Sequence, residues 1–140
     1  MPTLLNPYLS FKANAREAMT FYHKIFGGKL DMQTFGEAHA SQDPAQMNLI
    51  MHAQLTADNG VIFMASDTPD EMDYQPGSTI RMSLSGDNTA ELTGYFDKLS
   101  DGATVTMPLS QAPWGDTFGM LKDRFGVTWV FDVEAAYVAA

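Results

Sequence analysis

"FYHKIFGGKL" (residues 21–30) reappears in altered form as "GYFDKLSDGATV" (residues 94–105). When the two stretches are aligned, residues of the same character coincide: Phe21 with Tyr95, Tyr22 with Phe96, Lys24 with Lys98, Ile25 with Leu99 and Gly28 with Gly102. Both stretches have the apolar spacing of an amphipathic helix that ends at a glycine. Two amphipathic helices can look alike by chance, but the ordered agreement favours a chain built twice from one unit.

The two predicted helices share a capping pattern. Asn14 is followed three residues later by Glu17, and Asn88 is followed in the same way by Glu91. An N-cap residue with Glu at the third helical position is a capping box, in which two backbone N–H groups are satisfied by side chains. We therefore expect both asparagines to cap their helices.

Each predicted helix lies between alternating strands, "YLSF" (8–11) and "KLDMQTF" (29–35) in the first half and "RMSLS" (81–85) and "ATVTM" (103–107) in the second. Each half then ends in a predicted hairpin with a glycine in its turn. These are "MHAQLTADNGVIFMASD" (51–67) and "TFGMLKDRFGVTWVFDV" (117–133). The pattern predicts an α+β fold, a single domain over 1–140 made of two βαβββ modules. Module 1 covers about 5–66, a linker about 67–78, and module 2 about 79–133.

Composition limits the classes of partner. The 140 residues are 45% hydrophobic, as in an ordinary folded domain, and the net charge of −9 opposes binding to nucleic acid. The absence of cysteine excludes disulfides, thiolate nucleophiles and Cys-ligated zinc. Neither a secretory signal nor a membrane-spanning stretch is recognisable, so we expect a cytoplasmic protein that binds no membrane.

The sequence also resembles a known family. "NPYLSFKANAREAMTFYHKIFGG" (6–28), "MHAQL" with "IFMASD", and "WGDTFGMLKDRFGVTWVFDV" (114–133) are similar to the PhnB-like branch of the vicinal oxygen chelate (VOC, glyoxalase/bleomycin-resistance/dioxygenase) superfamily. The resemblance covers nearly the whole chain. It implies a glyoxalase-like cupped sheet formed by paired βαβββ modules, a cavity inside the cup, and a homodimer.

Strand alternation assigns side chains to faces, because successive residues of a strand point to opposite sides. We expect the helix side to receive Pro7, Leu9, Phe11, Met51, Ala53, Leu55, Ile80, Met82, Leu84, Val127, Trp129 and Phe131. The opposite, ligand-facing side should receive Asn6, Tyr8, Ser10, His52, Gln54, Arg81, Ser83, Phe118, Met120, Val130 and Asp132. Met64 and Ser66 join that side by the repeat and the family register, because their strand is apolar on both faces.

The resemblance also implies where a metal would sit. In metal-dependent members, His and Glu ligands occupy four positions that fall here on Asn6, Met64, Arg81 (or Ile80 if the register slips) and Val130. Divalent metals prefer imidazole, carboxylate or thiolate ligands, and a guanidinium repels a cation. We therefore predict no cofactor and no metal at the usual positions, while a divalent metal bound elsewhere stays open.

The three histidines are expected to have different locations and roles. His23 lies off the apolar stripe of its helix and His39 lies in a polar loop, so both are expected at the surface. His52 points towards the ligand side. It is either a hydrogen-bonded strand histidine or a weak candidate for a catalytic base, because imidazole titrates near neutral pH.

Arg81 and Trp114 each leave two alternatives open. A guanidinium on this face either pairs with an acid such as Asp132 or binds a carboxylate or phosphonate of a ligand. Trp114 either forms an aromatic wall or packs in the core or a dimer interface. Asp67 and Asp116 are interpreted as turn residues.

Two main functions remain, and fold alone does not choose between them. The first is a small-molecule-binding protein, whose ligand would contact Tyr8, His52, Gln54, Arg81, Trp114 and Phe118. It could sequester a drug, like the bleomycin-resistance relatives. The second is a metal-dependent or metal-free lyase, isomerase or dioxygenase. A dimeric domain that recognises another protein is a third possibility.

Overall fold

The computed structural model describes residues 3–135. Within that range the chain forms β1 (Tyr8–Phe11), α1 (Ala15–Phe26), β2 (Lys29–Thr34), β3 (Ile50–Thr56), β4 (Ile62–Asp67), β5 (Met82–Gly86), α2 (Thr89–Leu99), β6 (Thr104–Gln111), β7 (Thr117–Lys122) and β8 (Thr128–Val133). The predicted order of βαβββ followed by βαβββ is confirmed. The chain divides into two compact units at the junction of Pro76 and Gly77.

Both units have the same sheet topology, with strand order β1-β4-β3-β2 in the first and β5-β8-β7-β6 in the second. In each unit the first strand pairs in parallel with the last, and the other pairs are antiparallel. The shared order agrees with the repeat seen in the sequence. It also means that corresponding residues of the two units occupy corresponding places in their sheets.

One face of each sheet packs against its helix. In the first unit the rings of Tyr22 and Phe26 meet Phe63 of β4 edge to face, with ring centroids 5.6 and 5.8 Å apart. In the second unit Phe96 of α2 meets Phe131 of β8 in the same way, at 5.2 Å. Such contacts add to the stabilisation from apolar burial. The core of each unit therefore lies on a single side of its sheet.

The two helices begin differently, and the prediction that both asparagines cap their helices is wrong for Asn14. The side chain of Asn88 caps α2, because its Oδ1 accepts a hydrogen bond of 3.1 Å from the Glu91 backbone N–H. Asn14 makes no such bond. Instead, the carboxylate of Asp67 accepts the Ala15 N–H at 2.9 Å through one oxygen, and the Ile50 N–H at 2.9 Å through the other.

Asp67 is therefore not the turn residue expected from the sequence. It is the last residue of β4, and only 3% of it is exposed. A buried carboxylate is tolerated where backbone N–H groups satisfy it, and the positive end of a helix favours its negative charge. Asp67 thus ties together the end of β4, the start of β3 and the start of α1.

Gly28 determines how the chain leaves α1. Its φ is +79°, in the left-handed region that favours glycine. A Cβ at this position would overlap the backbone carbonyl oxygen of Thr56 and lie 2.6 Å from the Ala57 Cα. Glycine is therefore required for β2 to enter the sheet beside β3.

Over residues 3–135, no helix is long and apolar enough to cross a membrane. α1, with 12 residues, is the longer of the two helices and falls well short of the about 20 apolar residues that a span requires.

Candidate functional site

In each unit, the sheet face that carries no helix presents the side chains predicted to meet a ligand. We call these surfaces the open face of the first unit and the open face of the second unit. On β4 the alternation is clear, because Phe63 and Ala65 are buried against the helix while Met64 and Ser66 are half-buried on the other side. The register aligns Tyr8 with Met64, and Met64 with Gln54, across the open face of the first unit.

Tyr8 and His52 are in direct contact on this open face. The Tyr8 hydroxyl oxygen lies 3.1 Å from Nδ1 of His52, within hydrogen-bonding distance. The two ring centroids are 5.7 Å apart. Tyr8 is 48% exposed, so the pair stands at the surface of the unit and not in its core. Gln54 lies nearby on the same face, and its amide donates to the Thr56 hydroxyl at 3.3 Å.

The open face of the second unit is built from two rows of side chains. The register aligns Ser83, Val130 and Met120 in one row, and Ser85, Asp132 and Phe118 in the next. Trp114, from the loop before β7, packs its ring against Phe118 at 5.8 Å with an interplanar angle of 71°. Trp114 is 62% exposed, so it does not belong to the core of the unit.

Arg81 lies against the first of these rows. Its Nη1 is 3.4 Å from the Sδ of Met120, and the residue is exposed. Among residues 3–135 no carboxylate forms an ion pair with Arg81, so the alternative of pairing with Asp132 is not realised. The guanidinium keeps most of its five donors available, because a thioether is a weak acceptor.

Asp132 interacts with Asp116 instead. Burial raises the pKa of Asp132 above its ordinary value, and the hydrogen bond and negative charge of Asp116 raise it further, with a smaller effect from Glu134. Within the described residues, Oδ1 of Asp132 is buried without a hydrogen-bond partner. Asp116 lies in a bend, where its Oδ1 also accepts the Ala135 N–H at 2.9 Å. Strand alternation could not reveal this pair, because Asp116 lies in a loop.

Three of the face assignments are wrong. Met51 is half-buried while Ile50 is fully buried, because a β-bulge near Gln33 and Thr34 shifts the register and pairs Thr34 with Ile50. Ile80 is 84% exposed because β5 begins only at Met82, and Pro7 is exposed because it precedes β1.

The other two histidines lie away from the open faces. His23 is half-buried, and its Nε2 lies 2.9 Å from the carbonyl oxygen of Gly28 just beyond α1. The sequence predicts a solvated surface residue, whereas the ring of His23 contacts the backbone just after α1. His39 is exposed in the loop between β2 and β3, as expected.

The residues present do not fit the metal that the family resemblance implies. The corresponding positions hold Asn6 and Met64 in the first unit, and Arg81 and Val130 in the second. A thioether is a poor ligand for a hard divalent ion, a valine offers no donor, and a guanidinium opposes the charge, so the amide oxygen of Asn6 is the one suitable ligand among the four and cannot hold an ion alone. Across the described part of the chain, no three His, Asp or Glu side chains cluster in a way that could hold a metal ion.

Known proteins resemble this chain over nearly its full length. A crystal structure of protein PA1353 from Pseudomonas aeruginosa is 38% identical, covers 96% of this chain and 100% of its own, and superposes with a TM-score of 0.84. Protein YjdN of Escherichia coli K12 is 29% identical and covers 92% of this chain and 94% of its own length. A PhnB protein from Bacillus cereus is 25% identical, with a TM-score of 0.71 and coverage of 93% and 98%.

The family match agrees with these neighbours. Residues 4–131 match the family described as the glyoxalase/bleomycin resistance protein/dioxygenase superfamily. That range covers the first βαβββ unit and the second as far as Phe131 of β8, and it includes the open-face residues from Tyr8 to Val130. The chain belongs to the glyoxalase/bleomycin resistance protein/dioxygenase superfamily.

Proposed function

We propose that this chain is a PhnB-like member of the superfamily that binds a small molecule on its open faces without the usual metal. The observation that carries the proposal is the contact between Tyr8 and His52, at 3.1 Å, on a sheet face that the helix leaves free. The donor set at the implied metal positions supports the metal-free part of the proposal.

The chemistry of the open faces fits a small organic ligand. Binding sites for such ligands are mostly apolar and carry a few polar groups that orient the ligand. The open face of the first unit combines the thioether of Met64 with the polar groups of Tyr8, His52 and Gln54. That of the second unit offers Arg81 and the Trp114–Phe118 ring pair. These side chains are the proposed ligand-binding residues.

An enzyme, a lyase or isomerase that uses His52 as a base, is the second candidate. The contact fits this candidate only in the tautomer in which Nδ1–H donates to the Tyr8 hydroxyl, because the ring is then held in one orientation with Nε2 unprotonated, as a general base requires. A drug-sequestering protein of the bleomycin-resistance kind differs from this candidate only in lacking turnover. Conversion of a bound compound would separate the two.

The test is binding by protein treated with a chelator. Compounds that stabilise the protein should do so after chelation, and their effect should rise with concentration as linkage requires. His52→Ala should weaken binding about tenfold or more, the loss of one well-placed polar contact. His39→Ala is the matched control, because His39 is exposed in a loop away from the open face. Binding that depends on an added divalent ion, or that His52→Ala leaves unchanged, would contradict the proposal.

A homodimer and a cytoplasmic location complete the proposal. The homodimer is what the family resemblance implies, and light scattering should give about twice the chain mass of 15.4 kDa. A mass equal to a single chain at micromolar concentration would exclude it.

A further inference from the structure

We propose that Arg81 binds an oxyanion of the ligand, so that the ligand is a small aromatic or apolar molecule carrying a carboxylate or phosphonate. This inference rests on the proposed function and specifies the chemical class of its ligand. It depends on three observations of the second unit: the partners of the guanidinium, its position on the open face, and the arrangement of the neighbouring acids.

The first observation is that, among residues 3–135 of this acidic protein, no carboxylate forms an ion pair with Arg81. The chain has 17 acidic and only 8 basic Lys and Arg residues, so cations have many acids to pair with. Lys12, Lys29 and Arg124 pair with a carboxylate, at 3.2, 3.7 and 3.9 Å. The other basic residues form no ion pair among residues 3–135, and of these Arg81 is the one on the open face of the second unit. Arg81 contacts the Met120 sulfur instead, which leaves its planar fork of donors able to bind a carboxylate or phosphonate through two parallel hydrogen bonds.

The second observation is where this guanidinium lies. Its contact with Met120 places it on the open face, beside the row of Ser83, Val130 and Met120. Phe118 is two residues from Met120 on the same strand and the same face, a separation of about 7 Å. The Phe118 ring packs against Trp114, which is 62% exposed. A cation and an exposed aromatic pair on the same face suit a molecule with a charged group attached to a ring.

The third observation concerns Asp132, the acid on the open face of the second unit, and the loop residue Asp116. Asp132 faces Asp116, and Asp116 in turn accepts the Ala135 N–H. Asp132 keeps one buried oxygen without a hydrogen-bond partner, and neither acid forms an ion pair with Arg81 among the described residues. An anionic ligand can approach the guanidinium without displacing an internal partner.

Matched probes test the charge requirement. Benzoate, phenylphosphonate and neutral benzamide share one ring and differ in the group attached to it. We expect millimolar benzoate or phenylphosphonate to shift the amide resonances of Ser83 and Met120, and benzamide to leave them unchanged. Arg81→Gln should weaken the anion about tenfold or more, and Arg81→Lys by less, because lysine keeps the charge and loses the fork. If benzoate alone or phenylphosphonate alone binds, that result identifies the oxyanion.

Arg124→Gln is the control, because Arg124 belongs to the same unit and forms an exposed ion pair with Asp101. It should leave anion binding unchanged. The inference is overturned if benzamide shifts the same resonances as strongly, if Arg81→Gln binds the anions as well as the original protein, or if neither anion binds. In those cases neutral compounds whose binding depends on His52 would still support the proposed function, so the two failures are distinguishable.

Discussion

The Tyr8–His52 contact indicates which ring nitrogen of His52 carries the proton. A phenolic O–H is a better donor than an imidazole N–H, and an imidazole nitrogen is a better acceptor than a phenolic oxygen. We therefore expect Tyr8 to donate to Nδ1, which leaves the proton of the neutral ring on Nε2 as a donor for a ligand oxygen.

Nitrogen-15 chemical shifts of the histidine side chains measure this directly. His52 should be in the Nε2–H form in the unmodified protein, and Tyr8→Phe should allow a larger share of the Nδ1–H form. His23 is the internal reference, because its Nε2 faces the Gly28 carbonyl oxygen at 2.9 Å and must carry the proton in both proteins. A dominant Nδ1–H form of His52 would leave Nε2 as a free base and favour the enzyme.

Asp67 should be among the most sensitive polar positions in the first unit. Asp67→Ala removes the acceptor of two backbone N–H groups, those of Ala15 and Ile50, and leaves both buried without a partner. We expect a loss of about 3 kcal/mol in the free energy of unfolding, measured with urea. Asp70→Ala is the control, because the exposed pair of Asp70 with Lys12 should contribute less than about 1 kcal/mol. Equal effects of the two substitutions would refute this role of Asp67.

Asp132 should make the stability of the protein depend on pH. Its pKa is raised in the folded state, chiefly by burial and by Asp116, so folding favours the protonated form. The contribution of Asp132 to the free energy of unfolding is favourable at acidic pH and is lost as the pH rises through the pKa of the folded state. Asp132→Asn removes this titration.

Urea unfolding from about pH 3 to pH 8 checks the sign. The variant should gain stability relative to the unmodified protein as the pH rises. A difference that is flat with pH, or that falls, would mean that the carboxylate of Asp132 is not disfavoured in the folded state.

At the scale of elements, the two helix starts provide a matched pair of substitutions. Asn88→Ala removes an observed cap of α2 and should cost about 1 kcal/mol. Asn14→Ala occupies the equivalent place before α1 but removes no cap, so it should cost clearly less. Urea unfolding of the two variants gives the comparison, and a larger loss for Asn14→Ala would contradict the assignment of the caps.

The same two helices show what could be predicted from sequence. The order of helices and strands could be predicted because the spacing of apolar residues and the positions of glycines are local features of each segment. The cap of α1 could not be predicted, because it comes from Asp67, 52 positions away from Ala15. Strict alternation assigns Met51 of β3 to the helix side. This is wrong because a β-bulge inserts an extra residue and shifts the alternation.

For the complete fold, the duplicated architecture could be recognised from the sequence, whereas the candidate site could be predicted from it only in part. Alternation put Tyr8 and His52 on one face, but their contact depends on the pairing of β1 with β4 and of β4 with β3. The contact of Arg81 with the sulfur of Met120 depends on a packing detail that no periodic pattern can predict.

We propose that this member of the superfamily functions without the metal of its metal-dependent relatives. The most direct test is elemental mass spectrometry on protein purified without chelator and without a nickel column. We predict divalent metal far below one ion per chain, because Asn6, Met64, Arg81 and Val130 cannot form a ligand set. About one ion per chain would contradict the claim and make a metal-dependent enzyme the leading hypothesis.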